Sequence, residues 1–202
     1  MKIYDISQEL FGSVVFPGDP APEKRTLSSM EEGALYNLTA LSMCAHNGTH
    51  VDAPSHFVRD GKSVDQMDLR KMVGEAYLTA HDGVLTADDA RKILSDAHAF
   101  SREAARRILI GGDATVSYEA AEAFAESGVW LIGNESQTVG PEDGPMAVHQ
   151  LLLGREIVLL EGVRLAHVPV GRYFLCAAPI NLGKTEGAPC RAILIEAERV
   201  YA

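Results

Sequence analysis

The chain is short of several features that mark common protein classes. Of its 202 residues only three are cysteines, and Cys44, Cys176 and Cys190 are far apart in the sequence. An odd number without a C-x-x-C pair indicates neither a disulfide framework nor a zinc ribbon. Basic residues are outnumbered as well, with 18 Lys and Arg against 28 Asp and Glu. This balance argues against a nucleic-acid or anionic-membrane surface, which needs a basic patch.

Long apolar runs are also missing. No segment approaches the ~18 consecutive apolar residues that a membrane helix needs, and the first residues, Met1 to Asp5, hold no signal-peptide core. Together with the scattered cysteines, this predicts a cytoplasmic protein. Internal repeats, low-complexity segments and linker-like stretches are absent too, so we predict a single domain over residues 1–202.

Two common catalytic motifs are absent. There is no G-x-S-x-G elbow, and Ser55 lies in a proline-flanked loop, which argues against Ser/His/Asp hydrolysis. Gly111-Gly112-Asp113 is not part of a G-x-G-x-x-G dinucleotide fingerprint.

Short apolar segments alternate with a few helix signals along the chain. Thr86 followed by Asp88 and Asp89 is typical of a helix start, and Gly128 is typical of a helix stop. We predict further helices at 118–127 and 146–153, and strands at 38–43, 76–80, 107–110, 129–132, 157–160 and 191–195. This alternation predicts an α/β domain with a mixed sheet.

The most informative segment of the chain is a cluster of histidines. Three of the seven histidines, His46, His50 and His56, fall within eleven positions together with Asp52. Imidazole nitrogens and carboxylate oxygens are the usual ligands of a catalytic divalent metal. The cluster therefore predicts a metal site, although a lone histidine is more often a hydrogen-bonded structural residue.

The spacing of the cluster favours an extended chain over a helix. Alternate residues of a strand share a face, so His46, His50 and Asp52 would lie together, with Gly48 leaving room for an ion. A helix would group His46 with His50 but turn Asp52 away. A local turn at Asn47-Gly48 remains an alternative geometry.

Residues outside the cluster offer further candidates. His56, just past Pro54, is a candidate general acid or base because the free imidazole titrates near working pH, and a supporting or capping role is the alternative. His149 and Glu161 lie about a hundred residues further on, Glu161 at the end of an apolar run. Taken alone, His149 would be interpreted as a surface histidine and Glu161 as a glutamate at a strand end. Together with the cluster, they would complete a two-metal site.

These residues resemble a known family. The string His46-x-Gly48-Thr49-His50-x-Asp52-x-Pro54-x-His56 is similar to the signature of the cyclase-type metal-dependent hydrolases, which include the bacterial kynurenine formamidases. The similarity extends to the loop Phe16-Pro17-Gly18-Asp19, to residues 128–133, to the spacing of His149 and Glu161, and to a C-terminal block at 178–192. It covers essentially the whole chain.

The resemblance implies a fold, a ligand set and an assembly. We expect a swivelling β/β/α domain that assembles as a homodimer or homotetramer. One zinc ion would bind His46, His50 and Asp52, and a second would bind Asp52, His149 and Glu161. Such ligands also accept manganese. His56 corresponds to the proposed acid/base residue of the family.

The resemblance also implies an activity on a small-molecule amide. We expect hydrolysis of an aryl formamide such as N-formylkynurenine, with Phe16 and Phe57 as candidate aromatic walls of the substrate site or, equally, as core residues. The alternatives are the opening of a cyclic amide or ester, as by isatin hydrolases, and a non-catalytic protein that binds a metal or ligand.

Three departures from the formamidase pattern concern the substrate rather than the ligands. Phe16 stands where Trp is typical, Asn47 stands where Thr is common, and residues 133–137 lack an expected Asp.

Overall fold

The structure is a computed structural model and describes residues 1–196. Within that range it has three α-helices: α1 (Ala87–Phe100), α2 (Tyr118–Glu126) and α3 (Met146–Gly154). It has thirteen strands over the same range: β1 (Ile3–Asp5), β2 (Glu23–Ser28), β3 (Leu38–Ser42), β4 (His50–Asp52), β5 (Val73–Ala80), β6 (Gly83–Leu85), β7 (Arg107–Gly111), β8 (Ala114–Val116), β9 (Leu131–Asn134), β10 (Val158–Glu161), β11 (Gly171–Cys176), β12 (Gly187–Pro189) and β13 (Ile193–Glu196).

Nine of these strands form one mixed sheet. Their order is β1-β13-β11-β5-β7-β9-β10-β4-β12. The four strands from β5 to β10 are parallel to their neighbours, and the outer pairs are antiparallel. Two two-stranded sheets, β2–β3 and β6–β8, complete the described strands. The predicted α/β class with a mixed sheet is thereby confirmed.

The central strands bury both of their faces. Ile108 and Ile110 of β7 belong to an apolar cluster that also contains residues of all three helices. Leu109, which points the other way, packs in a second cluster with residues from both outer parts of the sheet, such as Val51 and Leu194. Strands buried on both faces read as continuous apolar runs, as these do in the sequence.

Most predicted elements are found, with shifted ends. The helix predicted at Thr86 begins with that residue as its cap, because Thr86 and Asp89 form a reciprocal capping box. The predicted strand at 129–132 begins later, at Leu131, and extends to Asn134. The strand predicted at 191–195 begins only at Ile193.

The hairpin of β2 and β3 lies outside the main sheet. Neither strand contains a buried residue. Large apolar side chains of the hairpin and its connection are nonetheless exposed, namely Leu27, Met30, Leu35, Tyr36, Leu38 and Leu41. Leu35 at the connection is 96% exposed. Such a concentration marks an interaction surface more often than a free surface.

None of the helices in residues 1–196 combines the length and the apolar character needed to cross a membrane.

Candidate metal centre

Two paired strands place three of the predicted ligands on one face of the sheet. β4 pairs antiparallel with β10, in a register that sets Glu161 opposite His50 and Leu159 opposite Asp52. Directly opposed residues share a face, and so do residues two apart in a strand. His50, Asp52 and Glu161 therefore project together. Leu159 packs among helix residues, so this is the face that the helices cover.

The fourth residue, His149, comes from α3, the helix immediately before β10. It lies on the buried side of α3 and is 2% exposed. The Nε2 atom of His149 is 3.1 Å from Oε1 of Glu161 and 3.6 Å from Oδ2 of Asp52. His149 is thus brought to the other predicted ligands by a helix that packs against β10.

The fifth residue, His46, reaches the site from a turn. The extended segment covers only His50–Asp52, and Gly48 has φ 68°, a left-handed conformation that favours glycine. The prediction that Gly48 leaves room for an ion is wrong, because a Cβ there would point at Leu10, 3.3 Å from its Cδ1. Gly187 on β12 makes room for the imidazole of His46, since its Cβ would lie 2.5 Å from Cε1 of that ring.

The five side chains form two overlapping groups that share Asp52. His46, His50 and Asp52 form one group, and Asp52, His149 and Glu161 form the other. Within each group the ligand atoms lie within 4.8 Å of one another. All but His46 are at most 3% exposed.

Backbone carbonyls orient two of the imidazoles. Nδ1 of His50 is 3.0 Å from the carbonyl oxygen of Gly48, and Nδ1 of His149 is 3.0 Å from that of Pro145. A carbonyl only accepts, so each Nδ1 carries the proton and donates it. The Nε2 atoms that face the carboxylates are left as electron-pair donors, the state that a metal ligand requires.

The electrostatics of the group favour a bound cation. Burial opposes a charge on His50, but its contacts with Asp52 and Glu161 outweigh burial and raise the pKa of His50 to about 10. Burial likewise opposes a charge on Asp52, yet its hydrogen bond with His46 and its close contact with His50 hold the pKa of Asp52 well below its usual range. Two buried carboxylates need positive partners, either protonated imidazoles or metal ions.

The donor set fits a metal. Three buried polar atoms of the five side chains lack a hydrogen-bond partner, namely Nε2 of His46, Nε2 of His50 and Oδ2 of Asp52. Such atoms are costly to bury unsatisfied, and coordination of a cation would satisfy them. Two to three imidazoles with shared carboxylates are typical ligands of zinc and manganese.

His56 lies beside the group rather than within it. Its ring stacks on His46, with centroids 4.2 Å apart, and contacts the Phe57 ring edge-on at 4.4 Å. Burial lowers the pKa of His56. No other side chain among residues 1–196 hydrogen-bonds to it, so its nitrogens remain available to a substrate.

A cavity of about 200 Å³ opens onto these residues. Phe16, Phe57 and Pro145 provide apolar wall, while Asp19, Gln137 and Thr138 provide polar wall. Both predicted aromatic residues therefore line the cavity, and Phe57 also contacts His149, with ring centroids 4.9 Å apart. An apolar cleft with a few convergent polar groups is the usual form of a small-molecule site.

A hydrogen-bonded clamp joins the two halves of the centre behind the ligands. Gln137 donates from Nε2 to the carbonyl oxygen of Gly48 at 3.1 Å, and its Oε1 accepts from Nε2 of Gln8 at 2.6 Å. The Thr49 hydroxyl donates to the carbonyl oxygen of Gly162 at 2.7 Å. The turn before His50 is thus tied to the residue after Glu161.

Four residues that line the cavity were not predicted, namely Asp19, Gln137, Thr138 and Pro145. Gln137 lies in the segment 133–137 that departs from the formamidase pattern, which was the available signal. Asp19 lies in the loop Phe16-Pro17-Gly18-Asp19, which resembles the family, but the resemblance did not imply a function for that residue. Nothing in the local sequence distinguishes Thr138 or Pro145.

The fold and the centre define the class to which the protein belongs. The model of the Cyclase family, described as "Putative cyclase", matches residues 4–141. The chain therefore belongs to this family. It is similar to a solved structure described as a potential metal-dependent hydrolase with cyclase activity, with TM-score 0.80 and 25% identity over 98% of both chains.

Particular relatives carry a more specific name. The kynurenine formamidase of Erythrobacter litoralis (strain HTCC2594) is 32% identical over 96% of this chain and 94% of its own length. That of Bacillus anthracis is 33% identical over 96% and 97%. The fold is also that of isatin hydrolase A from Labrenzia aggregata, at TM-score 0.82 and 21% identity, over 98% of this chain and 94% of that one.

Proposed function

We propose that this protein is a metal-dependent hydrolase that cleaves aryl formamides such as N-formylkynurenine to kynurenine and formate. The observation that carries the proposal is the buried group of three imidazoles and two carboxylates with unsatisfied atoms, at the base of an aromatic-walled cavity. Relatives named kynurenine formamidase, 32% and 33% identical over nearly the whole chain, support this substrate.

We assign the ligands to two ions. His46, His50 and Asp52 would hold one, and Asp52, His149 and Glu161 would hold the other, with zinc as the expected metal and manganese as the alternative. Such ions supply Lewis-acid chemistry, since they polarise a carbonyl and make water nucleophilic at neutral pH. Asp52 would keep the two ions adjacent, because it belongs to both groups.

His56 is the proposed proton carrier. Hydrolysis adds the hydroxyl of water to the formyl carbon, breaks the C–N bond and returns the proton to the departing aryl amine. His56 has free nitrogens beside the ligand group and would take that proton first and release it to the amine nitrogen. The imidazole then ends the cycle unchanged.

The aromatic walls would orient the substrate. Phe16 and Phe57 both line the cavity above the ligands, and a planar anilide ring between them would present its formyl group to the centre. These contacts also suit the flat bicyclic ring of isatin, so opening of a cyclic amide or ester is the second candidate function. The shared fold of isatin hydrolase A supports it.

We further propose that the enzyme is a cytoplasmic homodimer or homotetramer. The cysteines among the described residues are all free, as in a reducing compartment. The exposed apolar side chains of the β2–β3 hairpin support self-association.

The proposal is tested by incubating the purified protein with N-formylkynurenine, isatin and simple lactones, with and without a chelator. We expect rapid release of formate from N-formylkynurenine, loss of that activity with the chelator, and recovery when zinc or manganese is restored. Preferred turnover of isatin or a lactone would support the second candidate. Absence of turnover with all three, at full metal occupancy, would favour a non-catalytic binding protein.

A further inference from the structure

Asp19 is a carboxylate in the cavity wall that has no cationic partner. It is half-buried and lies on the cavity side of the loop that also carries Phe16. No basic nitrogen of residues 1–196 lies within the 4.0 Å of an ion pair. Its one side-chain contact is the thiol of Cys44, which lies 3.6 Å from Oδ2 and is a weak donor.

The position of Asp19 is fixed relative to the metal centre. Its amide donates to the carbonyl oxygen of Phe16 at 3.0 Å. The next residue is held by Asn47, whose Nδ2 donates to the carbonyl oxygen of Pro20 at 3.1 Å while its Oδ1 accepts from the amide of Cys44 at 3.0 Å. Asn47 is fully buried and directly follows His46. The backbone that carries Asp19 is therefore tied to the segment that carries His46.

The surroundings of Asp19 contain imidazoles and neutral hydrogen-bond donors but no permanently cationic side chain. No Lys or Arg lines its cavity or the adjoining cavity of about 250 Å³, which shares Phe16 and Gln137 with it. The acidic side chains of the adjoining cavity are Asp113, Glu135 and Glu142. Away from the ligands, a positively charged substrate group would be attracted there and a carboxylate would find no basic side chain.

We propose that Asp19 binds an ammonium group on the substrate, so that the preferred substrates are aryl formamides bearing a primary amine. The inference rests on the proposed function and sharpens it, because N-formylkynurenine carries such a group and isatin does not. It also implies that the carboxylate of N-formylkynurenine contributes little to binding by the described residues.

Three formamides distinguish the effect of the substrate's ammonium group from that of its carboxylate. N-formylkynurenine carries both ammonium and carboxylate, its decarboxylated amine carries the ammonium alone, and 2-formamidoacetophenone carries neither. With the wild-type enzyme we expect the decarboxylated amine to match or exceed N-formylkynurenine in kcat/KM and the uncharged formamide to be the poorest. A charge-assisted hydrogen bond supports a difference of about tenfold.

Asp19→Asn is the decisive variant. We expect KM for both amines to rise about tenfold while kcat stays the same, because the lost contact would stabilise the bound substrate and the transition state equally. Both kcat and KM for the uncharged formamide should be unchanged. Asp19→Glu should restore part of the preference. Asp88→Asn, which removes an exposed carboxylate of α1 that lines neither cavity, is the matched control and should leave the preference intact.

Equal effects of Asp19→Asn on all three formamides would overturn the inference, as would a wild-type preference for the uncharged one. Calorimetry with the deformylated amine product separates this result from failure of the proposed function. If no formamide is hydrolysed, weaker binding of that amine to Asp19→Asn still supports the ammonium site, and unchanged binding overturns it.

Discussion

Asp52 is the residue on which both proposed ions depend. It is fully buried, and each of its oxygens lies close to ligand nitrogens of a different group, Oδ1 to His46 and His50 and Oδ2 to His149. Replacing a residue that belongs to only one group should therefore remove less metal than replacing Asp52, which belongs to both.

The first prediction concerns metal stoichiometry. We expect Asp52→Asn to bind less than one ion per chain and His149→Ala to retain about one, against two in the wild type, because only Asp52 is shared. Plasma emission spectrometry of dialysed protein measures this directly. Asp88→Asn, at an exposed helix position, serves as the control. Equal metal loss in both ligand variants would contradict the shared-carboxylate assignment.

The second prediction separates proton transfer from metal binding. His56→Ala should keep its full metal content and lose about 10²–10⁴-fold in kcat, the usual contribution of a general acid or base. His50→Ala should lose both metal and activity. The pair is compared by metal analysis and by steady-state kinetics on the same preparations. A His56→Ala protein that loses its metal would make His56 a ligand or a structural support instead.

Residue types, rather than geometry, made the five ligands and His56 predictable from the sequence. Histidines are rare, so their density between His46 and His56 is informative by itself. His149 and Glu161 were candidates from their residue types and from the place of Glu161 at the end of an apolar run, and the family spacing then supported them. The clamp residue Gln137 was not predictable, because its contact with the Gly48 carbonyl depends on packing between distant segments.

At the scale of elements, the turn after β10 is the most constrained connection near the centre. Gly162 has φ 67°, and a Cβ there would collide with the side chains of Gln137 and Gln8 and lie 2.6 Å from the carbonyl oxygen of Gly48. The glycine is thus required twice, for its backbone conformation and for the space that the clamp occupies.

The third prediction compares two glycines with similar backbone angles. Gly162→Ala should lower the free energy of unfolding by about 3 kcal/mol, from left-handed strain plus overpacking. Gly128 has φ 80°, but no atom lies within 4 Å of the place that a Cβ would occupy, so Gly128→Ala should cost about 1 kcal/mol from strain alone. Urea denaturation of both variants gives the two values. Equal losses would show that the clamp does not occupy the space beside Gly162.

Elements with strong local sequence signals were predicted well, and elements without such signals were missed. The strand at 107–110 and the helix after Thr86 carry strong local signals, namely a continuous apolar run and a capping box. β2 (Glu23–Ser28) was missed because it is charged and buries neither face, so it has no apolar alternation. The three-residue strand β12 was missed because pairing with β4, rather than its own composition, makes it extended.

At the scale of the whole molecule, the β2–β3 hairpin is the feature that a single chain leaves unexplained. It exposes six large apolar side chains on a two-stranded sheet that lies apart from the main sheet. The proposed homodimer or homotetramer would bury them against a second copy.

The fourth prediction tests that assembly. Leu35→Ser combined with Tyr36→Ser should shift the protein toward the mass of a single chain in light scattering, because both replaced side chains are exposed and apolar. Val84→Ser, which replaces an exposed apolar residue away from the hairpin, should leave the mass unchanged. A wild-type protein that is already monomeric would remove the need for a self-association surface.

The pairing of β4 with β10 has a consequence for how the protein is made. Chains emerge from the ribosome starting at the N-terminus, so the histidine-rich segment of β4 exists long before its partner strand. Three of the five proposed ligands are synthesised about a hundred residues before the other two. Metal loading of the second group therefore belongs to a late stage of biosynthesis, and an incomplete chain released before Glu161 would be unable to form that group.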